Sequence, residues 1–448
     1  MAFSNSLSGL IAAAKALDVI GNNIANAQTI GFKSSMARFT NVAAAGKGSG
    51  PADSSSSAGV SADNVFQDFA QGRLDLTGNP LDMAINGLGF FRLRNLETGQ
   101  VSFTRDGQFR LSYESDPANP GGAPIPRLVT RTGLSLTGNL PDSTTGTFSS
   151  VPEPTDIVID PSFPAKATEK VNLARNLDSR TAAPLLAFDP RIPDSYSSST
   201  GVTVFDDTGA THNLHAFFCA TGAGNLWNVY TTMDFDPGSL AAPAPTVVGP
   251  IPVSFDTKGK LSTPMPLSPQ TYTAGAGTLS IAIDLTGTTQ LGIPFSLNAI
   301  DQDGYAKGDI PDGSQFMVRS DGRITARYTN GQIRNVAQLV LANFANPNAL
   351  INMGENQWVA NDDTAKGTGE ISLGFPNFST RKIANFQGDS DISEGMGSIQ
   401  GHAREQSNVD LGVELVSLIE QQRNYQASAQ TFKILDQVLQ NLANMRSN

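Results

Sequence analysis

The sequence predicts an α+β protein in which paired N- and C-terminal helices form a coiled-coil-like inner domain and nested all-β domains lie outside it. Three observations carry this expectation: a helical apolar stripe closes the chain, a matching stripe opens it, and the long interval between them is rich in Gly and Pro with strand-like alternation.

The closing stripe runs through Leu411, Leu415, Leu418, Gln422, Tyr425, Ala429, Phe432, Leu435, Leu439 and Leu442, spaced by threes and fours, which puts them on one side of a helix. No Pro or Gly follows Gly412 before Met445, and Asn408 and Asp410 supply N-capping chemistry. At 1.5 Å per residue the helix is expected to be roughly 50 Å long. The opening stripe, Phe3, Leu7, Leu10, Ala14, Leu17, Gly21 and Ile24, has the alternating spacing of a coiled-coil seam, and Gly31 can end the helical run after Asn26.

Charge is scarce on the opening helix, and neutral amides crowd the closing one. Residues 2–31 carry only Lys15 and Asp18, and off-stripe positions of the closing helix hold Gln421, Gln426, Gln430, Gln437, Gln440 and Asn441. A helix on a monomer's surface usually shows a charged outer face, so this pair is expected to be touched on several sides. In a homopolymer each charge is repeated beside its copies, and neutral polar residues avoid that repulsion. The alternative is a terminal helical hairpin packed on its own domain.

A chain of 448 residues exceeds one core and is expected to divide into two to four domains. A net charge of -11, with no basic stripe, argues against nucleic acid. The lone Cys219 excludes an intramolecular disulfide framework. No apolar run of about 18 residues is present to span a membrane, so no membrane insertion is expected. The N-terminus lacks a basic opening and its apolar stretch is interrupted by Lys15 and Asp18, unlike a cleaved secretory signal.

Taken in order, residues 1–32 and 405–448 are expected to form the helical inner domain, and residues 33–75 and 385–404 an extended linker region. Residues 76–150 and 300–384 follow as a β-rich middle domain and 151–299 as an inserted outer β domain. Ala43 to Asn64, made mostly of small residues, reads as a loose segment. Leu88 to Leu93 reads as a strand, and Val101–Thr104 with Phe109–Leu111 as a hairpin across Arg105-Asp106-Gly107. Val202–Phe205, Leu226–Thr232 and Thr278–Leu285 read as strands of a sandwich or barrel. Asn330-Gly331 marks a hairpin between Arg323–Tyr328 and Val336–Phe344.

Catalytic chemistry has little support. His212, His215 and Cys219 could be read as metal ligands, but residues three apart on a strand face opposite ways, so ordinary sheet residues are expected. Asp301-Gln302-Asp303-Gly304 lacks the rest of a calcium loop, and Asp206-Asp207-Thr208-Gly209 reads as a turn. No nucleophile elbow, phosphate loop or dinucleotide fingerprint occurs. Neither enzymatic activity nor a cofactor is expected.

Several stretches carry a resemblance. Ser8-Gly9-Leu10, Leu17 through Asn26 (with Ile20, Asn22, Asn23 and Ile24) and Thr29-Ile30-Gly31-Phe32-Lys33 are similar to the N-terminal signature of bacterial flagellar rod and hook proteins. Ser407-Asn408-Val409-Asp410-Leu411, Glu414-Leu415-Val416 and Gln422 through Ala427 resemble that family's C-terminal signature. Thr77 through Ile85, Gly87 through Phe91 and Phe103 through Gly107 resemble it as well. Gln302 through Gly308, Tyr328 through Gln332, and Val204-Phe205-Asp206 are similar to its hook-type members, whereas rod members are usually shorter. His402 through Gln406 departs from the small-apolar-acidic run usual before Ser407.

The resemblance implies a subunit exported unfolded by the flagellar type III apparatus, without a cleaved signal, that polymerises outside the cell into a flexible helical tube. It implies helices lining the channel and β domains outside them. The implied partners are copies of itself, a distal rod protein, a hook cap protein and a hook–filament junction protein. The implied assembly interface comprises Leu7, Leu10, Leu17, Ile20, Asn22, Asn23, Ile24, Asn26 and Phe32 with Asn408, Val409, Asp410, Leu411, Leu415, Leu418, Tyr425, Phe432, Leu435, Leu439 and Leu442. A distal rod subunit and a secreted β-rich adhesin remain as alternatives.

Overall fold

The computed structural model describes residues 2–43, 57–113, 124–142, 146–149, 154–235, 246–274, 277–310, 313–361, 368, 371–376 and 396–446. Helices stand at the two ends, α1 (Ala2–Ala25) and α2 (Leu411–Arg446), and strands dominate between them. The chain divides into two compact units. One comprises Met1–Asp160, Pro311–Arg327 and Ile333–Asn448, the other Pro161–Ile310 and Tyr328–Gln332.

The first unit is built on Phe90–Arg94. Phe90 and Phe91 point to opposite faces of that strand and both are buried, so the sheet is covered on two sides. The longest path through the sheet runs Phe316–Val318, Arg323–Arg327, Ile333–Leu339, Ser135–Asn139, Phe90–Arg94, Val101–Thr104, Gln357–Val359 and Ile351–Gly354. Phe90 packs edge-to-face on Phe69, Phe344 and Trp358, and Phe91 on Phe109, geometries that aromatic quadrupoles favour. Two short ladders join this unit to the approach to α2: Met83–Asn86 pairs with Ser398–Gly401, and Leu74–Leu76 with Ala403–Glu405.

The second unit contains two sheets sharing one core. Lys170–Asp178 pairs with Gly277–Asp284, Thr289–Leu291 and Ser296–Gln302, and Gln270–Ala274 extends the sheet. The other sheet is the meander Ser198–Phe205, Thr211–Ala220, Leu226–Met233 and Val247–Ser254. Val171, Leu173, Phe218, Trp227, Val229, Ile281 and Ile283 from the two sheets form a single apolar cluster.

The Asn330-Gly331 turn joins Arg323–Arg327 to Ile333–Leu339, with Gly331 at a φ of 81° that favours glycine. Two local expectations are corrected. Val101–Thr104 and Phe109–Ser112 do not form a hairpin: the former pairs with Phe90–Arg94 and Gln357–Val359, the latter with Arg127–Thr130. The intervening turn docks elsewhere, because the Gly107 carbonyl accepts the Met83 N–H at 2.9 Å and a Cβ at Gly107 would overlap the Met83 carbonyl. Within the segment expected to be loose, Ser57–Gln67 is a strand paired antiparallel with Ser35–Ala43; residues 44–56 lie outside the described ones. Small side chains at its start bury little by themselves, but pairing supplies the backbone hydrogen bonds and α1 packs on both strands.

Candidate assembly interface

Helices α1 and α2 pack side by side and run antiparallel: Asn23 meets Glu414, while a Cβ at Gly9 would lie 3.5 Å from the Ser428 hydroxyl oxygen. The face of α1 that is buried consists of Ala12, Ala13, Ala16, Val19, Ile20 and Asn23, and its three alanines let the helix approach its neighbours closely. The expected seam is turned partly away. Leu10, Leu17 and Ile24 are half-buried, Leu7 and Asn22 are exposed, and only Ile20 and Asn23 of the named residues in α1 are buried. Because α1 is apolar on more than one side, its periodicity could not tell which side its own chain would cover.

On α2 the pattern is more open. Leu411, Leu415 and Tyr425 are exposed, and Leu418, Phe432 and Leu435 are half-buried. Val413, Val416, Ile419, Ile434 and Val438 are also exposed, Val416 at 65%. The side chains of Phe3, Leu439 and Leu442 lie outside the described ones. Among the described residues no helix is long and apolar enough to cross a membrane.

Polar residues fix the roots of both helices. Asp410 caps α2, its Oδ1 accepting the N–H groups of Gly412 at 2.8 Å and Val413 at 3.2 Å. Asn23 donates from Nδ2 to the Ser35 carbonyl at 2.7 Å and to Glu414 Oε1 at 2.9 Å, while its Oδ1 accepts the Ser35 N–H. Asn408 accepts the Ser34 N–H and donates to the Asp68 and Ala70 carbonyls. Asn26 donates to the Asn22 carbonyl and accepts the Thr29 hydroxyl, closing the end of α1. Val409 and Phe32, both half-buried, occupy the joints next to these anchors.

Beneath the roots lies a buried charge cluster that sequence reasoning did not identify. Lys33 Nζ is 2.7 Å from Glu405 Oε1, and Arg105 Nη1 is 3.3 Å from Glu405 Oε2, with the Lys33 and Glu405 side chains fully enclosed. The two cations facing one carboxylate are further met by backbone: Lys33 donates to the Ala70 carbonyl and Arg105 to the Gly87 carbonyl. Glu405 Oε1 also accepts the Gly72 N–H, and its carbonyl accepts the Gly31 N–H. Burial pulls the Lys33 ammonium and the Arg105 guanidinium below their ordinary pKa ranges, opposed in both by Glu405. The segment that leaves α1, the residue after Val101–Thr104 and the segment that leads into α2 are thereby tied at one point. The available signal was two cations, Lys33 and Arg105, in the motifs that carry the resemblance; their shared partner stood in a stretch that departs from the family pattern.

The motifs considered for catalysis have other occupations. His212 Nδ1 lies 2.6 Å from Asp234 Oδ2 and its Nε2 3.5 Å from Asp206 Oδ2, and the Asp234 hydrogen bond raises the imidazole pKa. Burial pushes the Cys219 thiol up to about 11, which leaves little reactive thiolate at neutral pH. Asp206 Oδ1 accepts the Thr208 and Ala210 N–H groups in its turn, and Asp303 accepts the Glu169 and Lys170 N–H groups beside its 2.7 Å pair with Lys166. Among the described residues no group of His, Cys, Asp and Glu is arranged to hold a metal.

Comparison with known proteins follows the same lines along the chain. Residues 3–33 match the family described as flagella basal body rod protein, 176–305 the flagellar basal body protein FlaE D2 domain, and 399–445 the flagellar basal body rod FlgEFG protein C-terminal. The flagellar hook protein FlgE of Escherichia coli (strain K12) is 36% identical over 451 residues, covering 100% of each chain. That of Salmonella typhimurium is also 36% identical over 100% of each, and that of Rhizobium meliloti 28% identical over 98% of this chain and 97% of its own. A crystal structure of Helicobacter pylori flagellar hook protein FlgE2 aligns with a TM-score of 0.44 at 15% identity, covering 73% of this chain and 99% of that one.

Proposed function

This chain belongs to the flagellar hook protein family, and from that premise we propose that it is a structural subunit of the bacterial flagellar hook, polymerising through its terminal helices into a flexible tube that transmits motor torque from rod to filament. The observation that carries the reading is the bare apolar surface of α2 beside the covered face of α1. Each Val, Leu or Ile that a neighbouring copy removes from water contributes about 1.5–3 kcal/mol, and exposed apolar residues recur from Leu411 to Val438. In the polymer α1 and α2 pair with those of adjacent copies in coiled-coil-like seams around a central channel.

The layout by radius follows. Residues 1–32 and 405–448 form the inner layer, 33–75 and 385–404 the connection, 76–150 with 300–384 the middle layer and 151–299 the outer one. Densely packed helices hold the tube, while the outer β layers meet through polar contacts that slide as each row of subunits shortens and lengthens during rotation. The chain leaves the cell unfolded through the flagellar type III apparatus without a cleaved signal. It joins a distal rod protein below and a junction protein above, under a cap protein during growth. Helices that complete their burial only beside a neighbour couple ordering to polymerisation.

Electron microscopy of the purified chain under polymerising salt tests the reading. Flexible tubes are expected from the wild type and none from Leu418→Asp, which places a charge in the seam. Normal tubes from that variant refute the seam; straight, stiff tubes from the wild type favour a rod subunit; a persistent monomer favours an adhesin.

A further inference from the structure

The second unit encloses a cation that its described residues leave unneutralised. Arg175 lies on Lys170–Asp178, in step with Val171, Leu173 and Leu177, which are buried in the shared core. Opposite it, the partner strand bulges: Ala174 faces Ala299 and Arg175 faces Leu297, leaving Asn298 outside the ladder. Arg175 is 4% exposed, and its guanidinium carbon sits 4.6 Å from the centre of the Phe218 ring.

Only part of this fork is used. Nη2 donates to the Ser198 hydroxyl at 2.5 Å, whereas among the described residues Nε and Nη1 meet no acceptor. Among the described residues no carboxylate pairs with Arg175. Burial lowers its pKa to about 10, so the group stays charged at neutral pH. The contrast with the first unit is direct: there Lys33 and Arg105 share Glu405 and two backbone carbonyls. A buried charge is costly without a counter-charge, and a water molecule answers the N–H dipoles but not the charge.

We propose that Arg175, with Ser198 beside it, is a binding site for one small inorganic anion of the chloride class, held inside the outer β unit. Arg175 is almost wholly enclosed by its own chain, which suits a small diffusible ion, and the uncommitted Nε and Nη1 supply the donors. The anion completes the core of this unit independently of polymerisation.

The test uses the full-length chain, held monomeric as checked by light scattering, in a Trp358→Phe background. Trp227, buried in the second unit, is then the only tryptophan and reports that unit's unfolding. Sodium chloride is exchanged for sodium gluconate at constant ionic strength. With Arg175 intact, each tenfold rise in chloride above its dissociation constant is expected to raise the folded-to-unfolded ratio tenfold, the slope of one site. Arg175→Met removes the charge at similar volume and is expected to fold without that dependence and to lose chloride-35 NMR line broadening. Arg175→Lys keeps the cation and is expected to keep a slope. The same slope in Arg175→Met means an adventitious ion only, and no slope in the Arg175 chain means water fills the site; either result overturns the proposal. Should Arg175→Met not fold, a flat chloride response in Arg175→Lys overturns it equally.

Discussion

Helix α1, packed against α2 and the paired strands Ser35–Ala43 and Ser57–Gln67, buries Ala12, Ala13, Ala16, Val19 and Ile20, whereas α2 leaves Val413, Leu415, Val416 and Ile419 at least half open to solvent. α1 carries only Lys15 and Asp18 as charged residues, and both helices were expected to be covered along a stripe. The difference lies in what the rest of the chain provides. α1 is apolar on more than one side and has a pair of strands to lie on, so its alanine-rich face is satisfied internally. α2 has α1 on one side and, among the described residues, little else. An apolar stripe states that a helix needs a partner; only the covered surface tells which part of that need one chain meets.

The strongest way to break the comparison is to exchange the consequences of charge on the two helices. Ala16→Asp puts a carboxylate in the buried face of α1, and the isolated chain is expected to lose the docking of its terminal helices, by about 3–5 kcal/mol as for other unpaired buried charges. Val416→Asp on the bare face of α2 is expected to leave the monomer within about 0.5 kcal/mol of wild type while abolishing tubes. Hydrogen exchange of the monomer and electron microscopy separate the two outcomes, and equal loss of monomer stability in both variants would end the contrast.

Next in size is the joint that both helices share. Glu405→Ala leaves Lys33 and Arg105 buried without their carboxylate and is expected to cost about 3–5 kcal/mol in the first unit alone. In a Trp227→Phe background Trp358 reports this unit, and an unchanged denaturation midpoint would remove the cluster from the account. Gly31→Ala is expected to cost about 1–3 kcal/mol. Gly31 has a φ of 70°, and a Cβ there would stand 2.7 Å from the Asp106 nitrogen. Asp410→Ala removes the cap of α2 for about 1 kcal/mol and is expected to fray that helix while protection in α1 holds.

The smallest effect is reserved for the second unit and acts as a control. The His212 pKa is raised above its ordinary 6.5 chiefly by the hydrogen bond to Asp234. Its contribution is therefore fully present below pH about 6.5 and is lost as pH rises through the raised value. A Trp227-reported midpoint that falls across this window is expected, with a smaller fall in Asp234→Asn, where Asp206 alone still faces the ring; α1 and α2 protection should not follow it.

Much of the architecture could be read from residues in order. Period and capping chemistry placed both helices, with Asp410 as the cap, and Asn330-Gly331 placed a hairpin because that dipeptide serves one turn geometry well. The misread hairpin at Val101–Leu111 shows the limit: the turn residues were right, but Gly107 docks on Met83, a neighbour that local pattern does not contain. The candidate interface divides in the same way. Asn23, Asn408 and Asp410 bond within one chain, whereas Leu7, Leu411, Leu415 and Tyr425 are left exposed.

By itself the sequence determined the helical ends, the β-rich interior and the family, because each rests on periodicity or motif, which are properties of neighbours along the chain. The tertiary structure alone decided which face of α1 is covered, that Lys33 and Arg105 meet at Glu405, and that Arg175 meets no carboxylate among the described residues. Those outcomes depend on pairs separated by tens to hundreds of residues, and the energy of a buried charge is set by what surrounds it in space.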